Sequence, residues 1–210
     1  EPERMRAALA RHDELARRVV EGNHGEIVKT TGDGIHAVFA DPLDAVRAAL
    51  AFQQALHAPG ATGELQLAVR CGVHPGVAES RDSDFFGSAV NRAARIMAAA
   101  HGGQILVSQA TVDLAGERLP RDVTLRDLGL VRLRDLAHPE RVYQVAHPSL
   151  RRDFPALRSL ESTPNNLPEQ VTSFVGRERE AVELADLCKH ARLVTIVGMG
   201  GLGKTRLSLQ

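Results

Sequence analysis

Apolar and polar positions follow two different periods along this chain. Between residues 5 and 20, Met5, Ala8, Leu9, Leu15, Ala16 and Val19 recur at helical spacing with charges between them, which predicts an amphipathic helix. The period then shortens. Residues 26–29 and 35–39 read as short strands joined by Thr31-Gly32-Asp33-Gly34, a hairpin-type turn. Asp41-Pro42 opens a helix that runs to about His57, because Asp suits the N-cap and Pro the first turn. Alternation over 65–73 predicts a strand, 75–87 a polar loop, and 88–100 a helix stopped by Gly102-Gly103. A strand at 105–107 and a short helix at 109–115 follow. Two more strands lie near 124–128 and 142–145, with 131–133 between them.

The pattern breaks after His147. Pro148, Pro155, Pro164 and Pro168 punctuate a stretch without sustained period, read as a linker over 148–173. From 174 to 210, Phe174-Val175-Gly176-Arg177-Glu178 leads into a charged helix, 193–197 has the apolar run of a buried strand, and a glycine loop follows. Helices and hairpins mixed over 1–147 predict an α+β sandwich rather than a doubly wound sheet.

Composition narrows the classes. Of 210 residues, 43% are hydrophobic and 25% charged, which argues against wholesale disorder. With 26 basic and 26 acidic residues, the chain as a whole has no electrostatic case for nucleic acid or membrane surfaces. No apolar run is long enough to span a bilayer, and the charged opening is unlike a signal peptide. Cys71 and Cys188 lack metal-type spacing and read as buried apolar fillers in a reducing, cytoplasmic setting. The chain starts at Glu1 inside one helical pattern and stops at Gln210 inside another, so it reads as a piece of something longer.

Two segments carry candidate chemistry. In Asp84-Phe85-Phe86-Gly87-Ser88-Ala89-Val90-Asn91-Arg92-Ala93-Ala94-Arg95, a helix from Ser88 puts Asn91 and Arg95 one turn apart on one face, with a carboxylate, Asp84, just ahead of it. An amide and a guanidinium placed so are suited to an anion. The segment Val28-Lys29-Thr30-Thr31-Gly32-Asp33-Gly34 adds a cation and a carboxylate fit for a hard metal. Taken singly, each residue has a plainer reading: a tight turn for Gly-Asp-Gly, a solvated strand end for Lys29, a cap for Asp84, a packed amide for Asn91, a surface cation for Arg95.

Together, the two segments resemble the central signatures of class III adenylate/guanylate cyclases, and the resemblance runs over about residues 1–147. It implies a ferredoxin-like cyclase sandwich whose first strand, bearing the first metal aspartate, would precede Glu1. Asp33 then corresponds to the second metal aspartate, for Mg²⁺ or Mn²⁺, two per active site. Lys29 and Asp84 correspond to the pair that reads the purine edge, a combination the family uses for ATP. Asn91 corresponds to the amide orienting the ribose, and Arg95 to the guanidinium on the α-phosphate. The family works as a dimer with shared sites, so a homodimer is implied. Arg134 stands about where many members have a phosphate-contacting Lys.

The loop Gly198-Met199-Gly200-Gly201-Leu202-Gly203-Lys204-Thr205 matches the Walker A pattern, with Gly198 and Gly203 framing it, Lys204 for the β/γ-phosphates and Thr205 for Mg²⁺. It resembles the opening of a regulatory P-loop ATPase domain, as in bacterial multidomain transcription regulators. Nucleic acid would enter only through a domain outside this chain. Two readings stand: an adenylate cyclase making cyclic AMP, or a cyclase-like nucleotide-sensing module without turnover.

Overall fold

The computed structural model describes residues 2–81, 84–136, 138–159, 176–191, 193–199 and 203–208. Helix α1 (Pro2–Gly22) buries Ala8, His12, Ala16 and Val20, a strict every-fourth stripe. His12 belongs to it because its ring packs edge-on against Phe52, with centroids 5.2 Å apart. Strands β1 (Gly25–Thr31) and β2 (Gly34–Phe39) form the expected antiparallel hairpin, irregular between Ile27 and Lys29. Helix α2 (Pro42–His57) is capped by Asp41, which accepts from the Leu43 N–H at 2.9 Å. Arg118 donates to both Asp41 oxygens at 2.7 and 2.9 Å. These donors, Arg118 first, hold the Asp41 carboxyl down at about 2.

The remaining elements of this unit are β3 (Cys71–Val73), β4 (Glu79–Arg81), β5 (Asp84–Phe86), α3 (Ser88–Ala99), β6 (Ile105–Ser108), α4 (Gln109–Ala115), β7 (Thr124–Val131) and β8 (Glu140–Ala146). A four-stranded sheet runs β3-β6-β8-β7; β6 is parallel to β3 and antiparallel to β8. Both faces of the sheet are covered, which is why every residue of β6 is buried. Leu106 points toward Ile96, Ala99 and Ala100 of α3. Its neighbours Ile105 and Val107 pack with Val46 and Leu50 of α2. The fold is mixed α+β, as expected. Gly72 of β3 lets α3 press close: a Cβ there would stand 2.5 Å from the Met97 amide nitrogen.

Several expectations need correction. Of 65–73, only Cys71–Val73 join a ladder, because β3 lies at a sheet edge and pairs with β6 alone. The 75–87 loop instead contains the antiparallel hairpin β4–β5. The strand expected near 124–128 continues to Val131 through an irregularity between Asp127 and Leu130. Within the segment read as a linker, Leu150 and Leu157 pack on two core clusters, and the Arg158 N–H donates to the Ala99 carbonyl at 3.0 Å. The remainder, 160–173, lies outside the described residues.

The chain divides into two compact units, Glu1–Thr163 and Pro164–Gln210. In the second, α5 (Glu178–His190) and α6 (Lys204–Ser208) are helical. The strand expected over 193–197 is not formed. Leu193 and Val197 are 83% and 84% exposed, and no other strand is described within this unit to pair with them. Cys188 is exposed rather than a buried filler. Cys71 fits that reading in part: it is half-buried against the core, and burial pushes its thiol up to about 11, against a hydrogen bond from Gln53. No described helix is long and apolar enough to cross a membrane.

Candidate active site

Lys29 comes from β1 and Asp84 from β5, and the two side chains form an ion pair. The β4–β5 hairpin makes this possible, because it turns the chain back so that β5 meets β1. Asp84 is held twice: Oδ2 accepts from Lys29, and Oδ1 accepts from the Phe85 N–H at 2.8 Å. Lys29 and then the Phe85 amide keep the Asp84 carboxyl below its ordinary range, so it is a fixed, ionised acceptor. The Lys29 ammonium also lies 5.6 Å from the centroid of the Phe86 ring.

His36 completes this cluster and was not anticipated. It is the cross-strand partner of Lys29 in the β1–β2 hairpin. Burial, then Lys29, lowers its pKa, while Asp84 opposes them. Among the described residues, its Nδ1 is the buried side-chain polar atom without a hydrogen-bond partner. Alternation along β2 carried a weak sign of it, since His36 sits between apolar neighbours.

Immediately after β5, Gly87 takes φ = +130° and ψ = −178°, backbone essentially open only to glycine. This residue fixes the angle at which α3 leaves the hairpin. Asn91 is exposed on α3, and Arg95 lies one turn further along the same helix. Arg95 forms an ion pair with Asp135, Nη2 to Oδ2 at 2.7 Å. Arg92 takes a different role: it donates at 2.7 Å to Glu140, only 8% exposed, and so ties α3 to β8. Asp135 gave no sequence signal, because its contact with Arg95 depends on how the loop after β7 returns to α3.

Asp33 lies in the turn between β1 and β2, exposed. The structure therefore brings Lys29 and Asp84 together, sets Asn91 and Arg95 on the following helix, and leaves Asp33 on the hairpin tip. No group of three or more His, Cys, Asp or Glu suited to a metal occurs among the described residues. Arg134 is exposed beside Asp135. In the second unit, Gly203 has φ = +70° and Lys204 donates to the Met199 carbonyl at 2.7 Å. Gly198 is exposed and outside any helix or strand, and the side chain of Thr205 lies outside the described residues.

The family model described as the adenylate and guanylate cyclase catalytic domain matches residues 1–146, and the chain belongs to this family. An uncharacterized protein of Mycobacterium tuberculosis is 40% identical over 183 residues, covering 85% of this chain and 61% of the relative. The chain thus spans about three fifths of such a relative's length. A putative adenylate cyclase 3 of Rhizobium meliloti is 30% identical over 162 residues, 76% of this chain and 27% of that protein. Among solved structures, an adenylate cyclase of Trypanosoma brucei in its monomeric state has a TM-score of 0.66 at 29% identity, covering 75% of this chain and 84% of that one. An adenylate/guanylate cyclase/hydrolase of Silicibacter pomeroyi has a TM-score of 0.56 at 35% identity, covering 62% and 76%.

Proposed function

We propose that residues 1–147 form an adenylate cyclase domain that converts ATP to 3′,5′-cyclic AMP and pyrophosphate. The observation that carries this reading is the fixed Lys29–Asp84 pair followed at once by Asn91 and Arg95 on α3. An adenine edge offers an N6 donor and a ring-nitrogen acceptor. The ionised Asp84 accepts the first, and Lys29 donates to the second. Guanine presents donor and acceptor in the opposite order, which disfavours it in this register.

Asn91 holds the ribose so that its 3′-oxygen faces the α-phosphorus. The 3′-oxygen–phosphorus bond forms as the bond to the bridging oxygen of the leaving pyrophosphate breaks, and the hydroxyl proton passes to solvent. Negative charge grows on the α-phosphate, and the Arg95 guanidinium is the preorganised cation that meets it. Asp33 is a hard oxygen ligand suited to Mg²⁺ or Mn²⁺, ions held through one or two carboxylates plus substrate phosphates. Two such ions, when bound, lower the pKa of the 3′-hydroxyl and neutralise entering and leaving oxygens.

On this reading the protein works as a homodimer, with Asp33 of one subunit facing the base- and phosphate-reading residues of the other. Residues 174–210 are read as the opening of a P-loop ATPase domain after a linker. Support for that rests on the Walker A spacing, with Gly198, Gly203, Lys204 and Thr205 in phosphate- and Mg²⁺-binding roles. The test is direct: the full-length protein is incubated with ATP or GTP and with Mg²⁺ or Mn²⁺. Cyclic AMP from ATP, abolished in Arg95→Ala, is the expected result. No cyclic product with either nucleotide and either metal sinks the enzyme reading and leaves the nucleotide-sensing module.

A further inference from the structure

Arg95 is the residue on which the proposed chemistry turns, and in this structure its guanidinium is already engaged. Its Nη2 lies 2.7 Å from Asp135 Oδ2 as an ion pair, with the two side chains 41% and 62% exposed. The contact joins α3 to the loop following β7. Asp135 has φ = +59°, a left-handed backbone that glycine adopts freely and that, among side-chain-bearing residues, Asp and Asn tolerate best. A strained backbone at an exposed position, carrying the counter-ion of a phosphate-binding arginine, calls for a reason beyond stability. An exposed ion pair contributes too little to supply one.

We propose that Asp135 is a latch on Arg95. In the empty site its carboxylate stands in for the substrate's phosphate, keeping the guanidinium ordered, and the nucleotide must displace it to bind. This rests on the reading of Arg95 as a phosphate contact. Carboxylate and phosphate are both oxyanions that use the same N–H donors of a guanidinium, so the two compete for Arg95. Exchange is inexpensive because the pair is exposed, and water solvates the released carboxylate. Arg134, exposed on the same loop and next in sequence, carries the opposite charge. When Asp135 is displaced, Arg134 thus remains beside it as a second cation on the same loop.

The test is a titration of the full chain with Mg²⁺-ATP, all variants carrying Lys204→Ala to silence the P-loop. Asp135→Asn keeps the size and the tolerance for positive φ but removes the charge, so folding is preserved. It is expected to bind ATP about two- to five-fold more tightly, the range of an exposed ion pair. Asp135→Glu, which restores the charge, is expected to return affinity toward the parent value. In an Arg95→Ala background the gain from Asp135→Asn is expected to vanish, because the competitor then has nothing to hold. A gain that persists without Arg95 is a general charge effect and overturns the latch. Unchanged or weaker binding in Asp135→Asn, with Arg95→Ala still impaired, overturns the latch and spares the site. Binding unaffected by Arg95→Ala overturns both the latch and the phosphate-contact role of Arg95.

Discussion

Lys29 and Asp84 stand 55 positions apart in the chain and meet as one ion pair, each restricting how the other can turn. On the proposed reading, a base inserts into a charged pair whose geometry is set beforehand by the Phe85 amide and the Phe86 ring. Preorganisation of this kind turns hydrogen-bond order into selectivity, since a mismatched base leaves both groups unpaired. Asp84→Asn replaces an acceptor-only group by one that is half donor. Its kcat/KM for ATP is expected to fall on the order of 10- to 100-fold, with a smaller change for GTP. Initial rates with the two nucleotides check this; equal losses for both would separate the pair from base choice.

Arg92 and Arg95 share one helix and one residue type, yet their partners predict opposite phenotypes. Arg92→Ala strands Glu140, a carboxylate only 8% exposed, and is expected to cost about 1–3 kcal/mol of stability. That corresponds to roughly 2–12 °C in Tm for a chain of this size. Arg95→Ala loses only an exposed pair, so its Tm should stay within about 2–4 °C of the parent. Its turnover should drop on the order of 10²-fold or more. Thermal melts beside cyclic AMP yields decide the assignment, and the reverse pattern would exchange the roles of the two arginines.

The elements whose signals are local were legible from sequence. The α2 cap at Asp41, the β1–β2 turn, the α3 start at Ser88 and the α4 boundaries each depend on neighbours within a few positions. Features that depend on distant partners were not. Strand character over 65–70 failed for want of a second neighbour, and the apolar run at 193–197 has no described strand within its own unit to pair with. The β4–β5 hairpin hid among polar residues, because its strands are short and mostly unburied. His12 was passed over as a charge between apolar positions, although its i±4 neighbours Ala8 and Ala16 place it on the buried stripe. The site divided along the same line: its residue types were legible, but the Lys29–Asp84 bond, the His36 neighbour and the Asp135 partner of Arg95 required the fold.

His36 and His74 predict how stability responds to acid. Burial is the largest cause lowering both pKa values; Lys29 adds to it at His36 and Arg92 at His74, against Asp84 and Glu140 respectively. A lowered imidazole pKa means the unfolded chain takes up protons, near its ordinary value of about 6.5, that the folded chain refuses. The stability tied to these two groups is therefore fully present above about pH 6.5 and is lost as pH falls through their lowered folded-state values. Urea midpoints measured from pH 8 to 5 should decline on the acid side. His36→Gln with His74→Gln should flatten that decline even if the double variant is less stable throughout. An unchanged slope would assign the acid response to other groups.

Gly72 links the packing of the sheet to the placement of the site. A Cβ at this position would stand 2.5 Å from the Met97 nitrogen and 2.7 Å from its Cα, backbone atoms that cannot swing away. Gly72→Ala must therefore move α3 off β3, at about 1–3 kcal/mol for the overpacking. Because α3 carries Asn91 and Arg95, the same movement displaces the groups proposed to hold ribose and phosphate from Lys29 and Asp84, which stay on the hairpins. A misplacement of about 1 Å in a reacting geometry costs on the order of 10²-fold in rate. Turnover per folded molecule should thus fall in Gly72→Ala, even at a temperature where the variant is fully folded. Gly22→Ala is the matching control, since open space surrounds that position at the end of α1. It should leave Tm and turnover near the parent values. If Gly72→Ala lowers Tm while turnover per folded molecule is unchanged, the seating of α3 on β3 does not set the geometry of the site.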